Sequence, residues 1–218
     1  MKTLIYTLLL LVTVVSCNHD TESRQPWPDG QIPFIVVGFT PEEEFEIVKA
    51  MITWELASGG KISFFIYGTR ESKTKPLIIQ RGSNVSFAVG TGYSKNGYNF
   101  IQLNIVEQRF ILHELGHVLG LSHEISRPDR DFYVTIKTEK IENKDILILA
   151  QFATFETDFL NYKKYPFDYE SIMMYSDSDW GDVIDGHGHK LGGDTLTCVD
   201  AWKVSDIYSE TLLFSPRK

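Results

Sequence analysis

The sequence predicts an α+β protein of two lobes: a mixed, twisted sheet packed against two long helices, followed by a mostly irregular lobe that ends in a helix. Strand-type apolar runs and two helical patterns occupy the chain up to about residue 121. Beyond it the periodicity loosens into glycine- and aspartate-rich loops, and a helical pattern returns at Asp200. We therefore expect an upper lobe at 27–120 and a lower lobe at 121–218.

The first helix is predicted from its start signals. Thr40 can cap it, Pro41 suits the first helical position, and Glu43 completes a capping box. The sequence predicts an apolar face formed by Phe45, Val48, Met51 and Ile52. Strands are predicted over residues 32–37, 61–67, 84–89 and 100–105.

The amino terminus has the features of an export signal. An apolar run at residues 4–15 is too short to span a bilayer but fits a signal-peptide core. It ends in Val14-Val15-Ser16-Cys17, which resembles a bacterial lipobox. We expect a signal peptide at 1–16, lipidation of Cys17 and a tether at 17–26, hence an exported lipoprotein of the outer membrane or cell surface, held on the membrane by its lipid anchor. An ordinary signal peptide, giving a secreted or periplasmic protein, and a buried free thiol are the alternatives.

Charge and cysteine content exclude other classes. The formal net charge is −8 and the isoelectric point about 5.2, so the chain has no broad positive field for nucleic acid. Two cysteines cannot form the disulfide framework of a small secreted domain. With Cys17 acylated, Cys198 is expected to be a small buried hydrophobe.

The chemistry concentrates in residues 113–123, HELGHVLGLSH. His113 and His117 are four residues apart on a predicted helix, so their imidazoles share one face. Glu114, one position along, can reach a water bound to a metal there, where a general base belongs. His123 would point away on a continued helix, so the helix must end, and Gly120 can end it.

Three imidazole ligands with an open fourth position are typical of a catalytic zinc site. The sequence therefore predicts one Zn²⁺ ion bound by His113, His117 and His123. A bare H-E-x-x-H can also be a solvated helix face, but the glycine and the third histidine at the required spacing argue against that alternative.

Residues 113–134, HELGHVLGLSHEISRPDRDFYV, resemble the zinc-binding signature of the astacin family of metzincin metalloendopeptidases. A second motif, Ser171-Ile172-Met173-Met174-Tyr175, is similar to the family's Met-turn. Weaker similarity runs from Trp27 to Asp200. The resemblance implies a metzincin-like fold and a zinc endopeptidase that acts on protein or peptide substrates.

The resemblance also implies roles for individual residues. Met173 would form the floor beneath the imidazoles, and Tyr175 would ligate zinc at rest and then hydrogen-bond the oxyanion. In the family the freed amino terminus pairs with the glutamate after the third histidine, here Glu124. An acylated Cys17 could not be buried in that way, so either Glu124 pairs with another group, such as Arg127 or Arg130, or the tether is trimmed.

The chain departs from the family in its cysteines and its amino terminus. It lacks the four cysteines of the two usual disulfides, and ten residues before Trp27 leave little room for an inhibitory propeptide, so we expect constitutive activity. Substrate is expected to add to a strand edge between Val89 and Phe100, and the protein to be a monomer. A catalytically idle peptide-binding relative is the alternative function.

The loop after Tyr175 leaves two alternatives open. Its aspartates either make one lip of the cleft negative or are simply solvated. His187 and His189 either bind a second metal or lie in an exposed loop. The aspartates concerned are Asp177, Asp179, Asp182 and Asp185.

Overall fold

The computed structural model describes residues 24–141, 149, 151–154 and 160–213. The expected signal peptide, Cys17 and most of the expected tether lie outside the described residues. Within them, no helix is both long and apolar enough to cross a membrane.

The first half is a sheet with two helices, as predicted. Strand β1 (Gln31–Val37) leads into α1 (Pro41–Ala57) and β2 (Ser63–Ile66). Then follow β3 (Leu77–Arg81), β4 (Phe87–Ala88), β5 (Phe100–Leu103) and α2 (Gln108–Val118). Strand β3 was not among the predicted strands, although its run Leu77-Ile78-Ile79 is a strand signal.

The sheet is mixed, in the order β2-β1-β3-β5-β4. Four strands are parallel, and β4 alone among the strands of this sheet runs antiparallel, pairing Phe87 with Gln102 and Ala88 with Ile101. This puts β4 at an edge. Beyond it, Tyr93 exchanges two backbone hydrogen bonds with Gln25, at 3.0 and 2.7 Å. Part of the edge that was expected to accept substrate is therefore occupied by the chain's own Gln25.

Helix α1 begins as predicted but buries a different face. Both hydrogen bonds of the capping box between Thr40 and Glu43 form. Of the predicted face only Met51 is buried, whereas Phe45 is 66% exposed and Ile52 49% exposed. The prediction was wrong because α1 has apolar residues on two opposite sides, and the side that faces α2 is decided by tertiary packing. The buried face consists of Ile47, Ala50, Met51 and Trp54.

The main core joins both halves of the chain. Trp54 of α1 donates its indole N–H to the Leu112 carbonyl of α2 at 3.0 Å, and Trp27 donates to the Val118 carbonyl at 3.0 Å. Met173 and Tyr208, from the second half, belong to the same buried cluster. The site helix α2 is therefore anchored along its length.

The described part of the second half has few long elements, as predicted. Besides short 3₁₀ helices, the elements described there are β6 (Thr135–Ile136), α3 (Asp177–Trp180), β7 (Ile184–Asp185) and α4 (Cys198–Leu213). Strands β6 and β7 pair antiparallel, and a second buried cluster contains Phe152, Tyr175 and Trp180. Cys198 is exposed, so its expected burial was wrong. It is the first residue of α4, and the side of this helix that faces inward carries Val204 and, in part, Ala201.

Candidate active site

Helix α2 carries two of the three histidines and ends where the site requires it. Gly120 has φ 104°, a conformation that costs glycine no steric strain. Its N–H donates to the His117 carbonyl at 2.9 Å, and the Leu121 N–H donates to the Gly116 carbonyl at 2.9 Å. This Schellman arrangement confirms the predicted helix end, and the chain turns back so that His123 faces the helix.

The three imidazoles converge through their Nε2 atoms. The Nε2 atoms of His113 and His117 each lie 3.1 Å from His123 Nε2. His113 Nδ1 lies 2.8 Å from the Ile172 carbonyl, and His117 Nδ1 lies 2.9 Å from the Leu121 carbonyl. Because a carbonyl only accepts, both Nδ1 atoms carry the hydrogen, which leaves the Nε2 lone pairs free for a metal.

Tyr175 determines which nitrogen of His123 carries the hydrogen. Its hydroxyl donates to Gln151 Oε1 at 3.0 Å and lies 3.2 Å from His123 Nδ1. Since the phenol hydrogen is used on Gln151, His123 Nδ1 donates to the phenol oxygen. Tyr175 thus contacts the nitrogen of His123 that faces away from the other rings; its role as a metal ligand stays a prediction.

This donor set fits zinc. Within the described chain, these three histidines are the one group whose ligand atoms could hold a metal ion. Burial lowers the pKa of each ring, that of His117 to about 3, so the imidazoles stay in the neutral form that binds metal. Three nitrogen ligands without a thiolate are typical of catalytic zinc.

Glu114 lies beside the rings and against the sheet edge. It is buried, and burial raises its pKa to about 8, while a hydrogen bond from the backbone of Ala88 in β4 acts in the opposite direction. The carboxylate of the residue directly after His113 therefore lies against the edge strand, and its role as a general base stays a prediction.

The chain matches known proteins over most of its length. The sequence profile of the peptidase family Astacin matches residues 19–185. The chain belongs to the astacin family. It is 30% identical over 165 residues to zinc metalloproteinase nas-39 of Caenorhabditis elegans, covering 74% of this chain and 17% of that protein. It is 29% identical over 170 residues to astacin-like metalloprotease toxin 5 of Loxosceles gaucho, covering 76% and 86%.

Two solved structures have the same fold. High choriolytic enzyme 1, a hatching enzyme zinc-protease of Oryzias latipes, superposes with a TM-score of 0.68 at 24% identity, covering 88% of this chain and 97% of that one. Myroilysin superposes with a TM-score of 0.62 at 19% identity, covering 89% and 97%. These matches confirm the predicted metzincin-like α+β fold. This astacin chain spans less than a fifth of nas-39.

The astacin Met-turn packs against helix α2 through Met173, whose role as the floor beneath the imidazoles stays a prediction. Met173 is buried, and a Cβ added at Gly116 of α2 would lie 2.5 Å from its Sδ. Gly116 was not among the predicted site residues, and its signal in the sequence was a glycine inside a helix. The turn is held from below by Asp200 of α4, which accepts from Ser171 Oγ at 2.6 Å and from the Ile172 N–H at 3.0 Å.

Gly116→Ala is expected to lower the free energy of unfolding by about 1–3 kcal/mol, because its methyl group overpacks Met173. This loss of stability is opposite in sign to the effect of helix propensity, which favours alanine over glycine by about 1 kcal/mol. The free energy of unfolding in urea measures the change. The double variant Gly116→Ala/Met173→Ala should lose less stability than the two single variants together. Strict additivity would contradict the contact.

Glu124 lies directly after the third histidine and has several partners in this astacin. Its Oε1 accepts from Arg127 at 2.8 Å, so the expected pairing with Arg127 forms. Arg130 instead bonds Asp131 and the carbonyls of Ile125 and Phe152. Lys203 of α4, which was not predicted from the sequence, donates to Glu124 Oε2. The place that the resemblance assigns to a freed amino terminus therefore holds a lysine.

Two aspartates and two histidines of the loop after Tyr175 have partners outside the candidate metal site. Asp177 accepts from the Leu191 N–H at 2.9 Å, and Asp185 pairs with Lys137 at 2.9 Å. His187 Nε2 lies 2.9 Å from Thr135 Oγ1, and His189 stacks on Tyr169 with ring centroids 4.0 Å apart. The two histidines are not part of the metal-binding group found among the described residues.

Proposed function

We propose that this chain is a zinc-dependent metalloendopeptidase that hydrolyses peptide bonds in extracytoplasmic proteins, with Glu114 as the general base. One observation carries the proposal: three Nε2 lone pairs converge beside a buried carboxylate next to an edge strand. Two relatives, a zinc metalloproteinase and an astacin-like metalloprotease toxin, support the same reaction class.

When bound by His113, His117 and His123, zinc supplies a Lewis acid that polarises the scissile carbonyl and acidifies a water. Glu114 accepts the proton of the attacking water as its oxygen bonds to the carbonyl carbon. Glu114 then delivers that proton to the amine nitrogen as the C–N bond breaks. A cation at the imidazoles favours the ionised carboxylate, which offsets the effect of burial on its pKa.

Tyr175 is the proposed oxyanion donor. Its ring stacks on Trp180, with centroids 5.5 Å apart, and Phe152 contacts it edge-on, so the phenol is held in an apolar setting. Burial raises the pKa of Tyr175, so the hydroxyl keeps its proton, which it donates to Gln151 at rest and would donate to the oxyanion during the reaction. A donor aimed at the developing negative charge in a dry site is worth about 3 kcal/mol in such reactions.

Substrate is proposed to lie extended along β4. The Gln25–Tyr93 pairing leaves Phe87–Ala88 as the edge nearest Glu114, and strand addition there would align a peptide with the site.

The proposal also covers the location of the protein. We propose that Cys17 is lipidated and that the protein is exported as a monomer to the outer membrane or cell surface. Labelling of the exported chain with a fatty-acid analogue, lost in Cys17→Ser, would test the anchor.

Metal removal tests the proposed activity. Residues 18–218, loaded with one equivalent of zinc, are expected to cleave unfolded casein. A chelator should abolish cleavage, because the carbonyl loses its Lewis acid, and one equivalent of zinc should restore it. Sequencing of the casein fragments reads out the cleaved bonds. Cleavage that persists after complete zinc removal would refute the mechanism, and no cleavage by zinc-loaded protein would favour the idle peptide-binding relative.

A further inference from the structure

Glu124 is a buried carboxylate that needs a counter-ion. Its side chain is 2% exposed, directly after His123 in the chain. Its Oε1 accepts from Arg127 at 2.8 Å and from the Asp168 N–H at 3.0 Å. A buried charge is tolerated only when it is paired and its lone pairs are hydrogen-bonded. The second oxygen, Oε2, therefore requires a donor as well.

Arg127 does not neutralise this carboxylate alone. Its Nε and NH2 groups donate to the two oxygens of Asp129, each at 2.9 Å, which is a bidentate pair. The positive charge of Arg127 is therefore shared with Asp129. A balanced cluster needs a second cation beside Glu124.

Lys203 supplies that cation from a distant part of the chain. It lies on α4, 79 residues beyond Glu124 in sequence, and its ammonium donates to Glu124 Oε2. Both side chains are at least nine-tenths buried. Lys203 thus adds a second positive group to Arg127 beside the Glu124 and Asp129 carboxylates, and its charge also interacts with the partly buried carboxylate of Asp168.

The cluster is coupled to the metal ligands through the backbone. The Glu124 N–H donates to the Met173 carbonyl at 3.0 Å, so the residue after the third histidine is joined to the methionine beneath the rings. A shift of Glu124 would therefore move His123 relative to His113 and His117.

We propose that Lys203 is a positioning residue. Its hydrogen bond to Glu124, here called the lock, holds Glu124 against α4 and thereby keeps His123 in the geometry that binds zinc. The inference rests on the proposed function. Lys203 donates to Glu124 rather than to a proposed metal ligand, and it acts through Glu124. Groups that orient metal ligands typically change metal affinity by about 10–100-fold when removed.

The test is the zinc dissociation constant of the full chain, measured by competition with a chromogenic chelator. Lys203→Met is expected to weaken zinc binding at least about tenfold, and Lys203→Arg to retain affinity within about threefold. Lys164→Met is the matched control, because Lys164 also pairs with α4, at Asp206, but is 52% exposed. Its zinc affinity should equal that of the wild type.

A second variant keeps the proposal testable if Lys203→Met does not fold. Glu124→Gln/Lys203→Met removes the lock without leaving a buried charge unpaired, so it should fold and still bind zinc at least about fivefold more weakly. Thermal unfolding of the zinc-free forms measures the purely structural cost. If both lock variants unfold earlier but match Lys164→Met in zinc affinity, the positioning role is refuted. If the wild type itself binds no zinc, the proposed function fails instead.

Discussion

Glu114→Gln is expected to lower kcat on a peptide substrate by about a thousandfold, within the range of about 10²–10⁴ that general base catalysis contributes. Glutamine has nearly the same shape as glutamate, and it can keep a hydrogen bond to the Ala88 backbone, but it cannot accept the proton of the attacking water. The three imidazoles are unchanged. Zinc content should therefore stay at one ion per chain.

The measurement is kcat and KM on a fluorogenic peptide, with metal analysis of the same samples. Glu107→Gln is the matched control, since Glu107 is an exposed glutamate at the start of the same helix and makes no capping hydrogen bond with its side chain. It should leave kcat unchanged. Activity of zinc-loaded Glu114→Gln above about a tenth of the wild-type value would be incompatible with a general base at this position.

Asp200→Ala is expected to have the largest effect on stability, lowering the free energy of unfolding by about 3 kcal/mol. Asp200 is fully buried and accepts from Ser171 Oγ and from the N–H groups of Ile172 and Thr197. Alanine would leave these buried donors without an acceptor. Because the Ile172 carbonyl orients His113, zinc binding should weaken as well.

Urea unfolding of the zinc-free and zinc-loaded protein checks this expectation. Asp206→Ala is the control on the same helix: Asp206 accepts from Lys164 and Tyr165 but is partly exposed, so its loss should cost at most about 1 kcal/mol. Equal losses from the two substitutions would mean that Asp200 is not the support of the Met-turn.

The residues of the candidate metal site could be predicted because their signal is local. His113, Glu114 and His117 share a helix, and a 3.6-residue period determines which side chains face together. Gly120 marks the end of that helix through its left-handed conformation, and that is a property of one residue and its two neighbours. The capping box at Thr40 is local in the same sense.

Two predictions about burial were wrong because the local sequence allows either side of the helix to face the core. Helix α1 has apolar residues on two sides, so its period predicts a helix but not which side is buried. Cys198 is a residue type that is usually buried, yet it begins α4 on the exposed side. In both cases the choice depends on which element packs against the helix, and a single helix does not encode that.

The sequence by itself determined the family and predicted the candidate zinc ligands, the candidate base and a mixed sheet, because short motifs and periodicities within single elements carry these signals. Only the tertiary structure decided what supports the site: Asp200 under the Met-turn, Lys203 on Glu124, and Gln151 on Tyr175. These partners lie 24 to 79 residues apart in the chain. Such pairs are set by how elements pack, since burial forces each polar group to find an acceptor or a donor wherever the fold brings one near.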